Sequence, residues 1–432
     1  MYDLVIRSRR AVLPEGTRPA AIAVRDGRIA EIADYAAEPA ATATVDLVDL
    51  VLLPGLVDSH VHVNEPGRTD WEGFASATAA AAAGGVTTIV DMPLNSLPPT
   101  VDVAALAAKR TAATGQCRVD VGFWGGAIPG NLKSLRPLHE SGVFGFKCFL
   151  SPSGVDEFPP LSPAEIEEVM TELVAFDGLL IVHAEDPGRL AEPVDGSYDA
   201  FLASRPGAAE SAAVRAIIEL AERTGARTHI LHVSAADCLA PLAAARARGV
   251  RITAETCPHY LTLAAAEAHT TAFKCCPPIR DSANQDALWQ GLAEGVLTCV
   301  VSDHSPCPPA MKDGDFAGAW GGVSSLQIGL PAVWTAARTR GFGLDEVVRW
   351  MATAPADLVG LPGKGRIAVG CDADLVAFDP DAPFTVDPAA LRHKNKITAY
   401  AGRELSGVVR STWLRGRVLG DQSATGRFIE KS

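Results

Sequence analysis

One stretch of the sequence decides the fold: Leu53-Pro54-Gly55-Leu56-Val57-Asp58-Ser59-His60-Val61-His62. An apolar run, typical of a buried β-strand, ends here on two histidines that are separated by one residue. Because side chains alternate along a strand, His60 and His62 point to the same side of it. The stretch therefore predicts a strand whose end carries two side chains able to share one metal ion.

The same pattern recurs further along the chain. Short β-branched runs alternate with segments of helical periodicity, rich in Ala, Leu and Glu, that stop at Gly or Pro. The predicted strands cover residues 53–62, 86–93, 119–126, 143–150, 179–185, 228–234, 252–260 and 298–306. Eight parallel strands with intervening helices over roughly 300 residues predict an α/β fold, a (β/α)₈ TIM-type barrel. A doubly wound open sheet is the alternative.

The two flanks have a different pattern from the barrel segment, 53–360. Residues 1–52 and 361–432 contain short alternating strands separated by turns. We expect them to form two halves of one small β-sandwich domain, because the two ends of a barrel segment can lie close together.

The bulk composition excludes several classes of protein. The chain has 432 residues, 48% of them hydrophobic, and a formal net charge of −13 without a basic patch, so we expect no nucleic-acid partner. The nine cysteines form no CxxC pair, which indicates a reducing cytoplasm rather than a disulfide framework. Neither a signal peptide nor a membrane span is predicted.

Further polar side chains lie where predicted strands end. His183, His232 and Asp303 follow the fifth, sixth and eighth apolar runs, as His60 and His62 follow the first. Active sites of such barrels lie at the carboxyl ends of the strands. A single histidine there is usually structural, but the shared position of all five residues predicts a metal centre.

Lys147 lies within the apolar fourth strand, where an unpaired ammonium group is costly. An ion pair with a neighbouring carboxylate is one explanation. The other is that burial lowers the pKa of the amine, which then reacts with carbon dioxide to give a carbamate whose two oxygens can bridge two cations.

The remaining histidines are weaker candidates. His259 and His304 are predicted to orient metal ligands. No role is assigned to the others: His139 and His269 are expected at the surface, His229 on the strand face opposite His232, and His393 in the C-terminal flank.

The sequence resembles the amidohydrolase superfamily, specifically its cyclic amidohydrolase branch. The resemblance rests on residues 53–62, the run around Lys147 and Ser302-Asp303-His304. The resemblance covers the whole chain, including residues 363–375 of the C-terminal flank. It implies a barrel with a β-sandwich built from both flanks, and a metal-dependent enzyme that cleaves a C–N bond in a cyclic amide.

Three activities of this branch compete. Dihydroorotases typically carry an Arg two residues after the second His; here that residue is Asn64, although Arg68 could substitute. Dihydropyrimidinases (hydantoinases) typically carry a Tyr five residues after the Lys; here it is Pro152. Four segments of the chain are similar to those of the allantoinases, which open the ring of allantoin to give allantoate in purine breakdown. They are residues 62–67, 92–96, 123–126 and 147–154.

The resemblance also implies a role for each candidate residue. His60 and His62 would bind the first metal ion, His183 and His232 the second, carboxylated Lys147 (N6-carboxylysine) would bridge them, and Asp303 would complete the first and shuttle the proton. Two divalent ions are implied, zinc most often, with cobalt, manganese or iron as alternatives, and the family further implies a homotetramer.

The expected partner is a small cyclic ureide, which side chains around the site would contact. Asn95, Ser305 and Cys276 are the candidates. The Gly-rich residues 311–322 are either a lid or a solvated connection. Two rival functions stay open: a dihydropyrimidinase-like scaffold protein without metals, and a mononuclear deaminase.

Overall fold

The computed structural model describes residues 1–420 and 424–431 of the chain. The N-terminal flank contains five strands: β1 (Tyr2–Leu13), β2 (Gly16–Arg25), β3 (Arg28–Ala33), β4 (Ala41–Asp46) and β5 (Val51–Pro54). β1 pairs antiparallel with β2 and parallel with both β4 and β5.

Strands and helices then alternate. The strands are β6 (Leu56–Val61), β7 (Val86–Asp91), β8 (Asp120–Phe123), β9 (Gly125–Gly126), β10 (Phe146–Phe149), β11 (Leu179–His183), β12 (Arg227–Ile230), β13 (Ile252–Thr256) and β14 (Cys299–Val300). The α-helices are α1 (Phe74–Ala83), α2 (Val103–Ala113), α3 (Leu132–Glu140), α4 (Pro163–Val174), α5 (Tyr198–Ser204), α6 (Gly207–Thr224), α7 (Leu239–Ala247), α8 (Pro258–Thr262), α9 (Ser282–Ala293), α10 (Gly329–Thr339), α11 (Leu344–Val348) and α12 (Ala354–Leu358).

Shorter helical turns complete the chain. A π-helical turn, Arg349–Thr353, joins α11 to α12. The 3₁₀ turns are Pro187–Arg189, Ala236–Cys238, Ala265–Glu267, Thr271–Phe273, Pro309–Lys312 and Pro388–Ala390.

Local sequence explains where several helices begin and end. α4 starts with a capping box in which the Ser162 hydroxyl and the Glu165 carboxylate each bind the other's backbone N–H, and Pro163 occupies the first turn. α6 ends at Gly225, whose φ of 76° is a left-handed conformation that glycine adopts without steric cost.

The C-terminal flank returns to the N-terminal one. β15 (Leu375–Thr385) pairs antiparallel with β5, and β16 (Glu404–Leu414) and β17 (Arg417–Val418) follow it outward. The resulting sheet has eight strands in the order β17-β16-β15-β5-β1-β2-β3, with β4 beside β1. The prediction that the two flanks meet in one small β-domain is therefore confirmed.

The strands from β6 to β14 form a closed ring of parallel strands. Six of them run in the order β14-β13-β12-β11-β10-β9, and β6-β7-β8 form the remaining arc. Trp124 separates β8 from β9, and the Phe144 N–H donates to the Phe123 carbonyl (3.0 Å), which joins the two arcs. At the other junction the His62 N–H donates to the His304 carbonyl (2.8 Å). The closed ring confirms the barrel and excludes the open sheet.

All eight predicted strands have other boundaries in the structure, and for two of them the cause is local. The first, 53–62, is interrupted at Gly55: Leu53 and Pro54 belong to the flanking sheet, and a Cβ on Gly55 would lie 2.2 Å from Thr87 Oγ1. The seventh, 252–260, ends at Thr256, because Pro258 begins helix α8.

The eighth predicted strand, 298–306, pairs regularly only at β14; beyond it, His304 forms isolated bridges to Val61 and Val323. The boundaries at 52/53 and 360/361 stay predictions, and residues 421–423 and 432 of the third segment lie outside the described residues.

A buried cluster of charges links the β-domain to the barrel. The Lys364 ammonium group donates to Asp120 on β8 (2.7 Å) and to Asp374 (2.7 Å), and it lies 2.8 Å from Asp372. Arg415 also pairs with Asp120. Because each buried carboxylate has a cationic partner, the cluster avoids the cost of an unpaired charge.

Two further expectations concern the cysteines and the membrane. All nine cysteines are free, in agreement with the absence of a disulfide framework. Among the described residues, none of the helices has the length and apolar character needed to span a bilayer.

Candidate metal centre

The predicted ligands come from five different strand ends and meet at one mouth of the barrel. His60, Lys147 and His183 lie on β6, β10 and β11, and His62, His232 and Asp303 lie one to three residues beyond β6, β12 and β14. All six side chains are buried, with at most 8% of any residue exposed. The structure thus brings together every residue that the sequence singled out as a metal ligand.

One half of the cluster is centred on the Asp303 carboxylate. Asp303 Oδ1 lies 3.1 Å from His60 Nε2 and 3.5 Å from His62 Nε2. Burial alone would raise the pKa of Asp303, but the two adjacent imidazoles hold it well below its usual range. Asp303 is therefore an anion at neutral pH, as a metal ligand must be.

The other half consists of His183 and His232. His183 Nδ1 faces His232 Nε2 at 3.1 Å, and the His183 ring stacks on Phe149 with centroids 4.6 Å apart. Burial lowers the pKa of both imidazoles, so both are neutral, the state in which imidazole binds metal ions.

Lys147 lies between the two halves. Its Nζ is 3.5 Å from His60 Nε2 and 5.0 Å from the centre of the Phe149 ring. Burial lowers the pKa of Lys147 to about 8. Within the described part of the chain no carboxylate forms a direct ion pair with Lys147. Asp303 and Glu255 attract its charge from further away, which offsets only part of the effect of burial.

These residues fit a pair of divalent cations. One donor atom from each of His60, His232 and Asp303 can be chosen so that all three lie within 4.8 Å of one another. In addition, His232 Nδ1 is buried without a hydrogen-bond partner among the described residues, a costly state that a bound ion or solvent would relieve. The mixed imidazole and oxygen donor set suits zinc, cobalt, manganese and iron.

The backbone is strained where the chain turns away from its strands. His232 and Asp303 adopt positive φ angles of 37° and 43°, and Asn64 and Asn95 adopt 66° and 67°. Residues other than glycine rarely adopt this conformation, and such strain concentrates at functional sites. It accompanies the turn of the His232, Asp303 and Asn95 side chains into the cavity beside the centre.

A supporting residue that sequence reasoning missed lies beneath the centre. Glu255 on β13 accepts from His60 Nδ1 (2.6 Å) and from His229 Nε2 (3.0 Å). Burial alone would raise the pKa of Glu255, but the two imidazoles hold it at about 2. Glu255 is thus ionised. Because it accepts a hydrogen bond from His60 Nδ1–H, the other ring nitrogen, Nε2, is free to bind a ligand.

His229 therefore has a role that its position on the strand did not reveal. It is fully buried and shares the Glu255 carboxylate with His60, while its Nδ1 contacts Thr253 Oγ1 at 2.7 Å. The available signal was an acidic residue inside the apolar seventh strand. A second supporting carboxylate, Glu185, accepts from His183 Nε2 (2.7 Å) and from Arg205 (2.6 Å).

The other histidines occupy varied positions. His259 is buried near Asp303 with both ring nitrogens unpartnered among the described residues. The Ser325 N–H donates to His304 Nδ1 (3.3 Å), while His304 Nε2 lies 3.6 Å from Glu72. A role for either in orienting ligands stays a prediction.

Of the histidines without an assigned role, His269 is exposed as expected. His139 is half-buried rather than at the surface, because its ring packs on Phe176 with centroids 4.6 Å apart. His393 is buried, 5.4 Å from the ring of His304.

The centre opens into a cavity of about 470 Å³. The three predicted substrate contacts, Asn95, Ser305 and Cys276, all line it. Most of the loop 311–322 also lines it, so this segment is a wall of the site rather than a solvated connection. Arg68 is not among the described lining residues; it binds Glu157 (2.5 Å) and the Asn95 carbonyl (2.8 Å).

Comparison with known proteins places the chain in a family. A sequence profile described as "Amidohydrolase family" matches residues 51–419. The allantoinase of Streptomyces avermitilis is 58% identical, over 99% of both chains. The chain belongs to the amidohydrolase family, among the allantoinases. The allantoinase of Arabidopsis thaliana is 42% identical, over 96% of this chain and 87% of the relative.

Solved structures of other amidohydrolases share the fold. The L-hydantoinase of Arthrobacter aurescens superposes with a TM-score of 0.95 at 30% identity, over 100% of both chains. A D-hydantoinase gives a TM-score of 0.90 at 29% identity, over 99% of both chains.

Replacing Lys147 tests the centre of this amidohydrolase directly. In Lys147→Ala we expect metal content, measured by inductively coupled plasma mass spectrometry, to fall from about two ions per chain to below one, because the side chain between the two halves is lost. Added short carboxylates such as acetate should restore part of the metal content. The exposed Lys133→Ala serves as control, and full retention of metal in Lys147→Ala would remove the bridging role.

Replacing Glu255 tests the support beneath the centre. In Glu255→Gln we expect metal affinity, measured by competition with a chromogenic chelator, to fall about 10–100-fold, because a neutral amide replaces the carboxylate that fixes the tautomer of His60. Glu219→Gln, exposed on α6, is the matched control. A chelator titration identical to that of the unmodified protein would show that Glu255 does not support the centre.

Proposed function

We propose that the chain hydrolyses the ring amide of allantoin to give allantoate. The observation that carries the proposal is the 58% identity to an allantoinase over essentially the whole chain, combined with the convergence of His60, His62, Lys147, His183, His232 and Asp303 on one cavity. The cavity of about 470 Å³ accommodates a small cyclic ureide.

The six converging residues are proposed to hold two divalent cations, zinc first among the candidates. His60, His62 and Asp303 would hold one cation, and His183 and His232 the other. When bound, such a pair of cations lowers the pKa of water and polarises a carbonyl group. Everything else in the reaction falls to the protein's own side chains.

Lys147 is proposed to be carboxylated. The ammonium group first loses one proton to solvent; the neutral amine then attacks carbon dioxide, a nitrogen–carbon bond forms as one C=O π bond opens onto oxygen, and a second proton leaves to solvent. A buried cation thereby becomes a buried anion. Support for the modification is the absence of a carboxylate partner for Lys147 among the described residues and its position between the two histidine pairs. A carbamate has two oxygens, one for each half of the centre.

Asp303 is proposed to move the proton. Its carboxylate accepts a proton from the attacking water and delivers it to the ring nitrogen as the C–N bond breaks. The nearby His60 and His62 keep Asp303 ionised before the reaction. Asn95, Ser305 and Cys276 are proposed to contact the urea-like edges of the substrate, since all three line the cavity.

Other members of the family are less well supported. A dihydroorotase needs a cation for the substrate carboxylate, but position 64 is Asn, and Arg68 is already paired with Glu157 and absent from the described cavity lining. A hydantoinase is the second candidate, because the L-hydantoinase superposes with a TM-score of 0.95. The residue five positions after Lys147 is, however, Pro152 instead of the expected Tyr.

A scaffold protein without metals and a mononuclear deaminase are also testable alternatives. Retention of all six candidate ligands argues against the scaffold, and Lys147 at the fourth strand argues for two ions rather than one. Metal analysis distinguishes the three: about two ions per chain for the hydrolase, one for the deaminase and none for the scaffold. By resemblance we also propose a cytoplasmic homotetramer.

A substrate panel tests the proposed function. Metal-replete protein is incubated with allantoin, hydantoin, dihydrouracil and dihydroorotate at equal concentration, and ring-opened products are quantified by liquid chromatography. We expect allantoin to be opened fastest, because its second urea group supplies hydrogen-bonding partners that the other rings lack. Faster opening of hydantoin or dihydrouracil would favour the second candidate instead.

Replacing Asp303 tests the proton transfer. In Asp303→Asn the amide keeps an oxygen donor but cannot accept a proton, so we expect most of the metal to remain while kcat falls about 10²–10⁴-fold. Asp34→Asn, exposed in the flanking β-domain and away from the cavity, is the matched control. A kcat near that of the unmodified protein in Asp303→Asn would contradict the proposed role.

A further inference from the structure

Two segments of the chain form adjoining walls of the cavity. One is the end of the stretch that follows β13 and α8, where Lys274, Cys275 and Cys276 face the cavity. The other is the loop after β14, where Trp320, Gly321 and Gly322 do so. The two walls belong to different loops, so their separation depends on contacts between them.

A buried lysine joins these walls. Lys312 is 9% exposed, and its ammonium group lies within hydrogen-bonding distance of four backbone carbonyls: Thr271 (3.3 Å), Lys274 (3.3 Å), Trp320 (2.7 Å) and Gly322 (2.8 Å). Two of the carbonyls belong to each wall. Among the described residues no carboxylate pairs with Lys312, so the carbonyls alone compensate its charge.

Further bonds run between the same segments. The Gly322 N–H donates to the Lys274 carbonyl (2.8 Å), and the Lys274 ammonium group donates to the Ala317 carbonyl (3.0 Å). An ammonium group has three N–H donors, and hydrogen bonds from a charged donor are stronger than those from a neutral one. Lys312 is therefore the strongest single link between the two walls.

We propose that Lys312 is a positioning residue that fixes the two walls of the cavity against each other and so sets the affinity for the substrate. It has no hydrogen bond to any of the six candidate metal ligands, so its loss should weaken substrate binding more than turnover. The kinetic part of this inference rests on the proposed function, whereas the structural part does not.

The hydrogen bonds from Lys312 to the two walls, here called the clamp, depend on the charge of Lys312. The titratable groups that face it are the thiols of Cys307, Cys275 and Cys276 and the ammonium group of Lys274, and burial lowers the pKa of Lys312 to about 8. At neutral pH the group is protonated and the clamp is intact. As the pH rises above about 8 the amine loses a proton, retains two N–H donors, and the clamp weakens.

The experiment compares the unmodified protein with Lys312→Met, Lys312→Arg and the exposed control Lys133→Met. KM and kcat for allantoin, metal content, and amide hydrogen exchange of residues 271–276 and 309–322 are measured for each. In Lys312→Met we expect KM to rise by about tenfold or more, kcat to stay within about twofold, metal content to be unchanged and exchange of both segments to accelerate.

The pH profile provides a second, independent arm. Between about pH 7 and about pH 9.5 we expect KM of the unmodified protein to rise, while Lys312→Arg, whose guanidinium stays charged, keeps a flatter profile. Hydrogen exchange corrected for its intrinsic pH dependence should follow the same trend in the unmodified protein, which keeps the inference testable if Lys312→Met does not fold.

The outcomes separate this inference from the proposed function. Unchanged exchange of both segments in Lys312→Met, or in the unmodified protein across the pH range, would overturn the clamp. A fall in metal content and kcat at constant KM would also overturn it, because Lys312 would then act on the centre. If allantoin is not a substrate but exchange accelerates, the proposed function fails and the clamp stands.

Discussion

The centre depends on closure of the barrel between its first and last strands. The bond from the His62 N–H to the His304 carbonyl (2.8 Å) joins two segments that lie some 240 residues apart in sequence, and the Asp58 carboxylate adds a second link by accepting from the Ser302 N–H (3.1 Å). These bonds hold Asp303 against His60 and His62. Without them one half of the centre would have no carboxylate, so the local chemistry rests on a long-range backbone contact.

Burying so many ionisable groups together requires compensation for each of them. Glu255 accepts from His60 and His229, and Glu185 accepts from His183 and Arg205. One histidine in each half of the centre thus contacts an ionised carboxylate, which fixes the orientation and tautomer of that ring. Lys147 forms no direct ion pair with a carboxylate among the described residues, and its carboxylation would replace an uncompensated positive charge with the anion that two cations need.

The barrel and the β-domain do not by themselves decide the substrate. The L-hydantoinase of Arthrobacter aurescens has nearly the same fold at 30% identity, so selectivity must come from the loops that line the cavity. Asn64 and Pro152 stand where the resemblance implies an Arg in dihydroorotases and a Tyr in dihydropyrimidinases. The wall formed by residues 311–322 is attached through Lys312 to a second loop, which makes cavity shape a property of both loops together.

The sequence by itself determined the barrel, the meeting of its two flanks and the six residues that converge at its mouth. It could do so because strand periodicity places side chains on a known face, and the carboxyl ends of parallel strands share one edge. Only the tertiary structure decided the roles of Glu255, His229 and Lys312, since their partners lie on other elements and no local pattern encodes a contact between strands or loops. It also divided residues 53–62 between two sheets, because Gly55 packs against Thr87, a neighbour that the local sequence does not specify.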